Sequence, residues 1–234
     1  MTEPIIYLAG GGDKEQSLEL DNACRKDLKD RGSHILYIPI ALKHSDKYDT
    51  CDEWFKQIFS PYWYNIDILW SPSDKISLDN YDLIYIGGGN TYSLIHDLRE
   101  HELVEPLKNY VKAGNHIYGG SAGAIILGKN IGTCGLGFDV DDANHDDITN
   151  LDGLNLSIGY DIRTHYSQEH REAVTEHIAQ TGNPVICCPE ESGIRLKGNE
   201  ATIIGQKPVI LRHGDYGITL PPNTTMELQT TDYL

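Results

Sequence analysis

Short apolar runs alternate with polar, helix-periodic stretches along most of this chain. Ile5-Ile6-Tyr7-Leu8 leads into Gly10-Gly11-Gly12, and a helical pattern follows from Gln16 to Arg31. Ile35 to Ile40 precedes a loop and a helix over Cys51 to Phe59. Ile66 to Trp70 and Leu83 to Ile86 read as further strands. Gly87-Gly88-Gly89 comes next, then helical stretches over Thr91 to Arg99 and Leu103 to Lys112. His116 to Tyr118 reads as a strand running into Gly119-Gly120-Ser121-Ala122-Gly123-Ala124, with a helix over Ala122 to Leu127.

Continuous apolar runs bounded by glycine and separated by helices predict an α/β fold: a mostly parallel sheet covered by helices on both faces. The last third reads differently. Val185 to Cys188, Ile194 to Lys197, Ala201 to Ile204, Pro208 to Arg212 and Ile218 to Leu220 are short strands between turn residues. They predict a β-rich, mixed or antiparallel C-terminal extension. No repeat, low-complexity tract or linker divides the sequence, so residues 1–234 are expected to form one α/β domain.

The charge balance narrows the function. Thirty-five acidic residues against 19 basic give a formal net charge of −16. A field of that sign repels phosphate backbones and anionic lipid, which sets nucleic acid and membrane surfaces aside as partners. No run approaches the roughly 18–20 apolar residues of a membrane span. The five cysteines are odd in number and make no C-x-x-C pair, which fits neither a disulfide framework nor a zinc site. With no basic and apolar leader at the N-terminus, the expected location is cytoplasmic, with reduced thiols.

Gly119-Gly120-Ser121-Ala122-Gly123 carries the sharpest chemistry. It satisfies the G-x-S-x-G nucleophile-elbow pattern in the required context, after a strand and before a helix. A serine on a strained strand-to-helix turn exposes its hydroxyl, and small neighbours let the backbone turn tightly. The Ala122 amide, at the start of the helix, is placed to stabilise an oxyanion. The other glycine runs do not make nucleotide sites. Tyr92 and Glu15 stand where the last glycine of G-x-G-x-x-G would be, and Gly128-Lys129-Asn130 lacks the Ser/Thr of a P-loop.

A serine nucleophile needs a base, and the base an orienting acid. In the chain order of α/β-hydrolases, His213 would be the base and Glu190, Glu191 or an earlier Asp the acid. In the order serine, histidine, acid, His165 would be the base, and Pro189-Glu190-Glu191 would put a carboxylate at a strand end. A metal reading would use His165, His170 and His177 beside Glu169, Glu172 and Glu176. No H-E-x-x-H occurs, however, and His170 and His177 stand two turns apart on a helix, too far for the usual chelate. Neither metal nor cofactor is implied.

Together, Ile86-Gly87-Gly88-Gly89-Asn90-Thr91 and Gly119-Gly120-Ser121-Ala122-Gly123-Ala124 make the chain resemble the peptidase E (aspartyl dipeptidase) and cyanophycinase family of serine peptidases. The resemblance runs from Tyr7-Leu8-Ala9-Gly10-Gly11-Gly12 to Pro189-Glu190 and the strands beyond. It implies a class I glutamine amidotransferase-like (flavodoxin-like) architecture and a Ser-His-Glu triad of Ser121, His165 and Glu190, with Glu191 the adjacent competitor. The same resemblance implies an oxyanion hole from the amides of Gly89 and Ala122, and Asn90 among the substrate-binding residues. The activity it implies is hydrolysis of small peptides through an acyl-enzyme, foremost dipeptides with N-terminal Asp, by a monomer or homodimer.

In the dipeptidase branch an arginine beyond the histidine pairs with the substrate aspartate. Arg171 is its counterpart here, with Arg163 a second candidate, since a guanidinium binds carboxylate bidentately. Two departures bear on specificity. The segment from His165 to Arg171 is shorter than in that branch, and Leu136 stands where the dipeptidases carry an acidic residue. The acidic run Asp139 to Asp147 would also repel an acidic substrate unless it faces away. A cyanophycinase-like or other exopeptidase is the enzyme alternative. A binding or sensor module without turnover is the other, against which the complete Ser121, His165 and Glu190 set argues.

Overall fold

The computed structural model describes residues 3–28, 34–59, 65–136 and 142–229. Five parallel strands build its centre: β1 (Ile5–Ala9), β2 (His34–Ile38), β3 (Asn65–Ile68), β4 (Leu83–Ile86) and β5 (His116–Gly120). In space they run β1-β5-β4-β2-β3. β6 (Asp161–Arg163) and β7 (Val185–Cys187) pair in parallel elsewhere. The later strands β8 (Ser192–Lys197), β9 (Glu200–Gly205) and β12 (Thr225–Glu227) extend the central sheet antiparallel beyond β1. β10 (Val209–His213) and β11 (Tyr216–Leu220) add antiparallel to β7, which makes a second sheet in the order β11-β10-β7-β6.

The central strands read as apolar runs because both faces are covered. Every residue of β1, β4 and β5 is buried. Alternation sorts their side chains between two cores. Tyr7, Tyr85 and Tyr118 face α1 (Leu18–Leu28) and α2 (Cys51–Phe59), packing with Cys24 and Phe55. Leu8, Ile84 and Ile117 face the other way, towards α3 (Thr91–Glu100), α4 (Val104–Lys112) and α5 (Ala122–Leu127). That larger core also takes in Ile162, Ile186 and Leu211 of the second sheet. Val185 and Cys187 turn instead to Val174 and Ile178 of α6 (Arg171–Thr181).

The mostly parallel sheet flanked by helices, with antiparallel C-terminal strands, is the expected architecture. One stretch differs. Leu156 to Ile162 reads as extended in sequence, yet the strand begins only at Asp161. Ile158 and Gly159 take positive φ angles of 52° and 92°, and the Ser157 hydroxyl closes a turn onto Tyr160 O, so the chain arrives at β6 through a bend. The end of the helix expected to reach Arg31 lies outside the described residues. Among the described residues, no helix is long and apolar enough to cross a membrane.

Candidate active site

The ends of β1, β4, β5, β6 and β7 converge at the carboxyl edges of parallel strands, where open α/β sheets place their ligand crevices. β1 acts as the anchor. Ser121 N–H donates to Ala9 O (3.3 Å), and His165 N–H donates to the next carbonyl, Gly10 O (2.8 Å). Two consecutive carbonyls thereby fix the backbones of residues brought in by different sheets. Tyr166 N–H and Cys188 N–H continue the β6–β7 ladder past the strands, to Cys188 O (3.1 Å) and Arg163 O (2.8 Å), and so carry His165 and Glu190 to the same place.

Ser121 sits between β5 and α5 with φ 51° and ψ −115°, a costly backbone for a residue with a side chain. Its hydroxyl donates to His165 Nε2 at 2.7 Å. On the far side of the ring, His165 Nδ1 lies 2.9 Å from Glu190 Oε1. An ionised carboxylate can only accept, so Nδ1 carries the proton and Nε2 presents its lone pair to the serine. Gln16 Nε2 donates to the other carboxylate oxygen, Oε2, at 3.0 Å. Hydrogen bonds from His165 and, more weakly, from Gln16 hold the Glu190 carboxyl below its ordinary range. Glu191 turns away, its backbone at φ 68° and its carboxylate paired with Lys207 Nζ at 2.7 Å. A cleft of about 610 Å³ opens beside His165 and Glu190, lined also by Tyr166, Ser167, Pro189 and Lys207.

Two glycines are required for space as well as for backbone freedom. Gly11 (φ 99°) faces the imidazole, and Gly89 (φ 136°) crosses the Ala41 carbonyl so closely that a Cβ would lie 2.2 Å from its oxygen. The Gly87–Gly89 turn lies against the serine: a Cβ on Gly88 would stand 3.5 Å from Ser121 Oγ. Gly87 N–H donates to Ile38 O (3.0 Å) and Asn90 N–H to Ala41 O (2.9 Å), which leaves the Gly88 and Gly89 amides without an acceptor among the described residues. Ala122 is the first residue of α5, where a helix amide has no intrahelical partner.

The substrate-binding candidates stand differently. Asn90 caps α3, accepting from Ser93 N–H at 2.8 Å and donating through Nδ2 to Ala143 O at 2.9 Å, so both ends of its amide are engaged within the protein. Arg163 is fully buried, donating to Thr133 O at 2.9 Å, and presents no guanidinium to a substrate. Arg171 is exposed at the start of α6 and records no ion pair among the described residues. His213, the alternative base, is on β10 with its ring edge-on to Tyr160, 5.7 Å between centroids.

His170 accepts from Ser167 N–H at 3.2 Å, and His177 pairs with the buried Asp161 at 2.7 Å, so the three histidines of the metal reading disperse. Among the described residues no group of three or more His, Cys, Asp or Glu is placed to hold a metal ion. Of the acidic run, Asp139 to Asp141 lie outside the described residues. Asp142 and Asp146 face the start of α3, accepting from the Thr91 and Ser93 hydroxyls at 3.1 and 2.9 Å. Sequence reasoning missed that role, and also Gln16, which only the folded loop after β1 brings to Glu190.

The model of peptidase family S51 matches residues 5–204. A probable alpha-aspartyl dipeptidase of Drosophila melanogaster is 27% identical over 195 residues, covering 78% of this chain and 77% of its own. Peptidase E of Pasteurella multocida (strain Pm70) is 30% identical over 165 residues, covering 64% of this chain and 66% of its own. Among solved structures, a peptidase from an acI-B1 Actinobacterium aligns with a TM-score of 0.76 at 16% identity, over 97% of each chain. A putative peptidase E from Listeria monocytogenes EGD-e aligns at 0.66 and 19%, over 87% of this chain and 98% of its own. At those identities the structures speak for the fold alone.

Proposed function

Because the chain belongs to peptidase family S51 and is a serine-type peptidase, we propose that it hydrolyses small peptides through an acyl-enzyme on Ser121. The observation that carries this reading is the unbroken relay from Ser121 Oγ through His165 to Glu190, at 2.7 and 2.9 Å. His165 Nε2 takes the hydroxyl proton as Oγ attacks the scissile carbonyl, and then gives it to the leaving amine. Glu190 holds the tautomer that leaves Nε2 free to accept, and its negative charge stabilises the imidazolium formed in the step. The amides of Gly89 and Ala122 receive the oxyanion. One such donor is worth about 3–4 kcal/mol in related chemistry. Water then attacks the acyl-enzyme, with His165 again as base.

The first substrates to try are dipeptides with N-terminal Asp. The similarity to a probable alpha-aspartyl dipeptidase supports that choice, and Arg171, exposed at the start of α6 six residues after His165, is the cation assigned to the substrate carboxylate. Leu136 favours a second reading. It stands where the dipeptidase branch carries an acidic residue, which suits an exopeptidase of other side-chain preference. Both readings use the same machinery in a protein expected to work in the cytoplasm.

Hydrolysis of an X-p-nitroanilide and X-Leu dipeptide panel, with Ser121→Ala beside the wild type, tests them. Turnover confined to X = Asp and lost in the variant is the expected result. In that case Arg171→Ala raises KM for Asp-X far more than for neutral substrates. Ser121-dependent turnover on other residues would keep the mechanism and discard the specificity.

A further inference from the structure

The loop that follows β1 reaches the acid of the relay from behind, and we propose that Gln16 is a positioning residue that holds Glu190 in the one orientation His165 can use. The inference rests on the Ser121–His165–Glu190 reading. Glu190 has two oxygens and each is claimed by a different donor: Oε1 by His165 Nδ1 at 2.9 Å and Oε2 by Gln16 Nε2 at 3.0 Å. A carboxylate held at both oxygens cannot rotate about its terminal torsion, a broad and otherwise soft one.

The Gln16 amide is itself locked. Its Oε1 accepts from Asp13 N–H at 2.8 Å, so Nε2 must be the end presented to Glu190. Asp13 secures the turn by accepting from Glu15 N–H at 2.8 Å and Gln16 N–H at 3.0 Å. Gly12 leaves the room this needs, since a Cβ there would fall 2.5 Å from Gln16 Oε1. Lys207, a cation lining the same cleft, spends its ammonium on Glu191 Oε2 at 2.7 Å. The glycine run after β1 and the glutamine beyond it thus form one support for the His165–Glu190 half of the site.

The test uses the rate of fluorophosphonate labelling at Ser121, which needs no substrate, and the downfield proton resonance of His165 Nδ1–H. Gln16→Ala leaves one oxygen of a partly buried carboxylate without its donor. It should slow labelling about tenfold or more and broaden or shift the Nδ1 proton. Gln16→Glu keeps the shape and the Asp13 contact but sets a second carboxylate against Glu190, so it reports even if Gln16→Ala melts. Glu190 shares its cleft with His165, Glu169, His170 and Lys207. An added negative charge among them should move the acid limb of the labelling-rate profile upward in pH. In a Glu190→Gln background, Gln16→Ala should cost nothing further, because its effect passes through Glu190; a merely structural role would multiply the two losses.

Full labelling rate and an unmoved Nδ1 proton in both Gln16 variants, with Glu190→Gln inactive, would overturn the role of Gln16 and leave the relay intact. An undiminished rate in Glu190→Gln would overturn the relay itself, and the assignment of Gln16 with it.

Discussion

Gly11 and His165 lie so close that a Cβ on residue 11 would fall 2.2 Å from the imidazole Cε1 and 2.5 Å from Nε2. The imidazole is therefore packed against backbone, which restrains the ring that the serine and the glutamate both meet. Gly11→Ala should displace the ring and lower kcat/KM by about 10²-fold. The positive φ at this position should add about 1–3 kcal/mol of destabilisation, read from a thermal melt. Wild-type turnover in the variant would mean that the ring is not held this way.

The two orders of base and acid in the sequence make opposite demands on two histidines. His165→Ala should reduce turnover by at least about 10²–10⁴-fold. His213→Ala, on β10 with its ring against Tyr160, should leave it within about twofold of wild type. Loss confined to His213→Ala would reverse the assignment.

Glu190 ties stability to pH. Hydrogen bonds from His165 and Gln16 lower its carboxyl in the folded protein, so the stability it contributes is present above the ordinary glutamate value and lost as pH falls through the lowered one. Wild type should exceed Glu190→Gln in Tm at neutral pH, and the margin should close below about pH 4. With the side chain 43% exposed, the margin should be no more than about 1 kcal/mol, or about 2–4 °C. A margin that widens in acid contradicts the assignment.

All five cysteines are free and buried. Burial pushes the Cys134 thiol up to about 12 and the Cys188 thiol likewise to about 12, far from the thiolate that reacts. Iodoacetamide at pH 8 should therefore leave activity unchanged and modify the thiols only on unfolding. Rapid inactivation by the reagent would point to a cysteine in the chemistry.

Much of this was legible from residue order. The helix at Cys51–Phe59, the strand at Leu83–Ile86 and the helix at Ala122–Leu127 stand where apolar periodicity and glycine boundaries put them. Those signals are local, and local physics suffices for them. The bend before β6 was not legible, because Leu156 to Ile162 is apolar enough for a strand and its turn depends on the Ser157 hydroxyl closing on Tyr160 O and on the positive φ of Gly159. β12 was missed because Thr-Met-Glu carries no alternation of its own and pairs only along β9.

At the site, the serine turn reads locally, whereas its partners are set by tertiary register. Nothing near Gln16 in sequence announces Glu190, and nothing near Asn90 announces that Ala143 will occupy its amide. Arg163, the second candidate after Arg171, is taken into the core by β6.

The central claim is that Ser121 is the nucleophile, and trapping it is the most direct test. Folded protein is treated with a fluorophosphonate, digested, and the adduct mapped by mass spectrometry beside Ser121→Ala and His165→Ala. A single stoichiometric adduct is expected on the peptide carrying Ser121, absent from the first variant and strongly slowed in the second. A folded protein that never labels, or one that labels at another residue with Ser121 untouched, would contradict it.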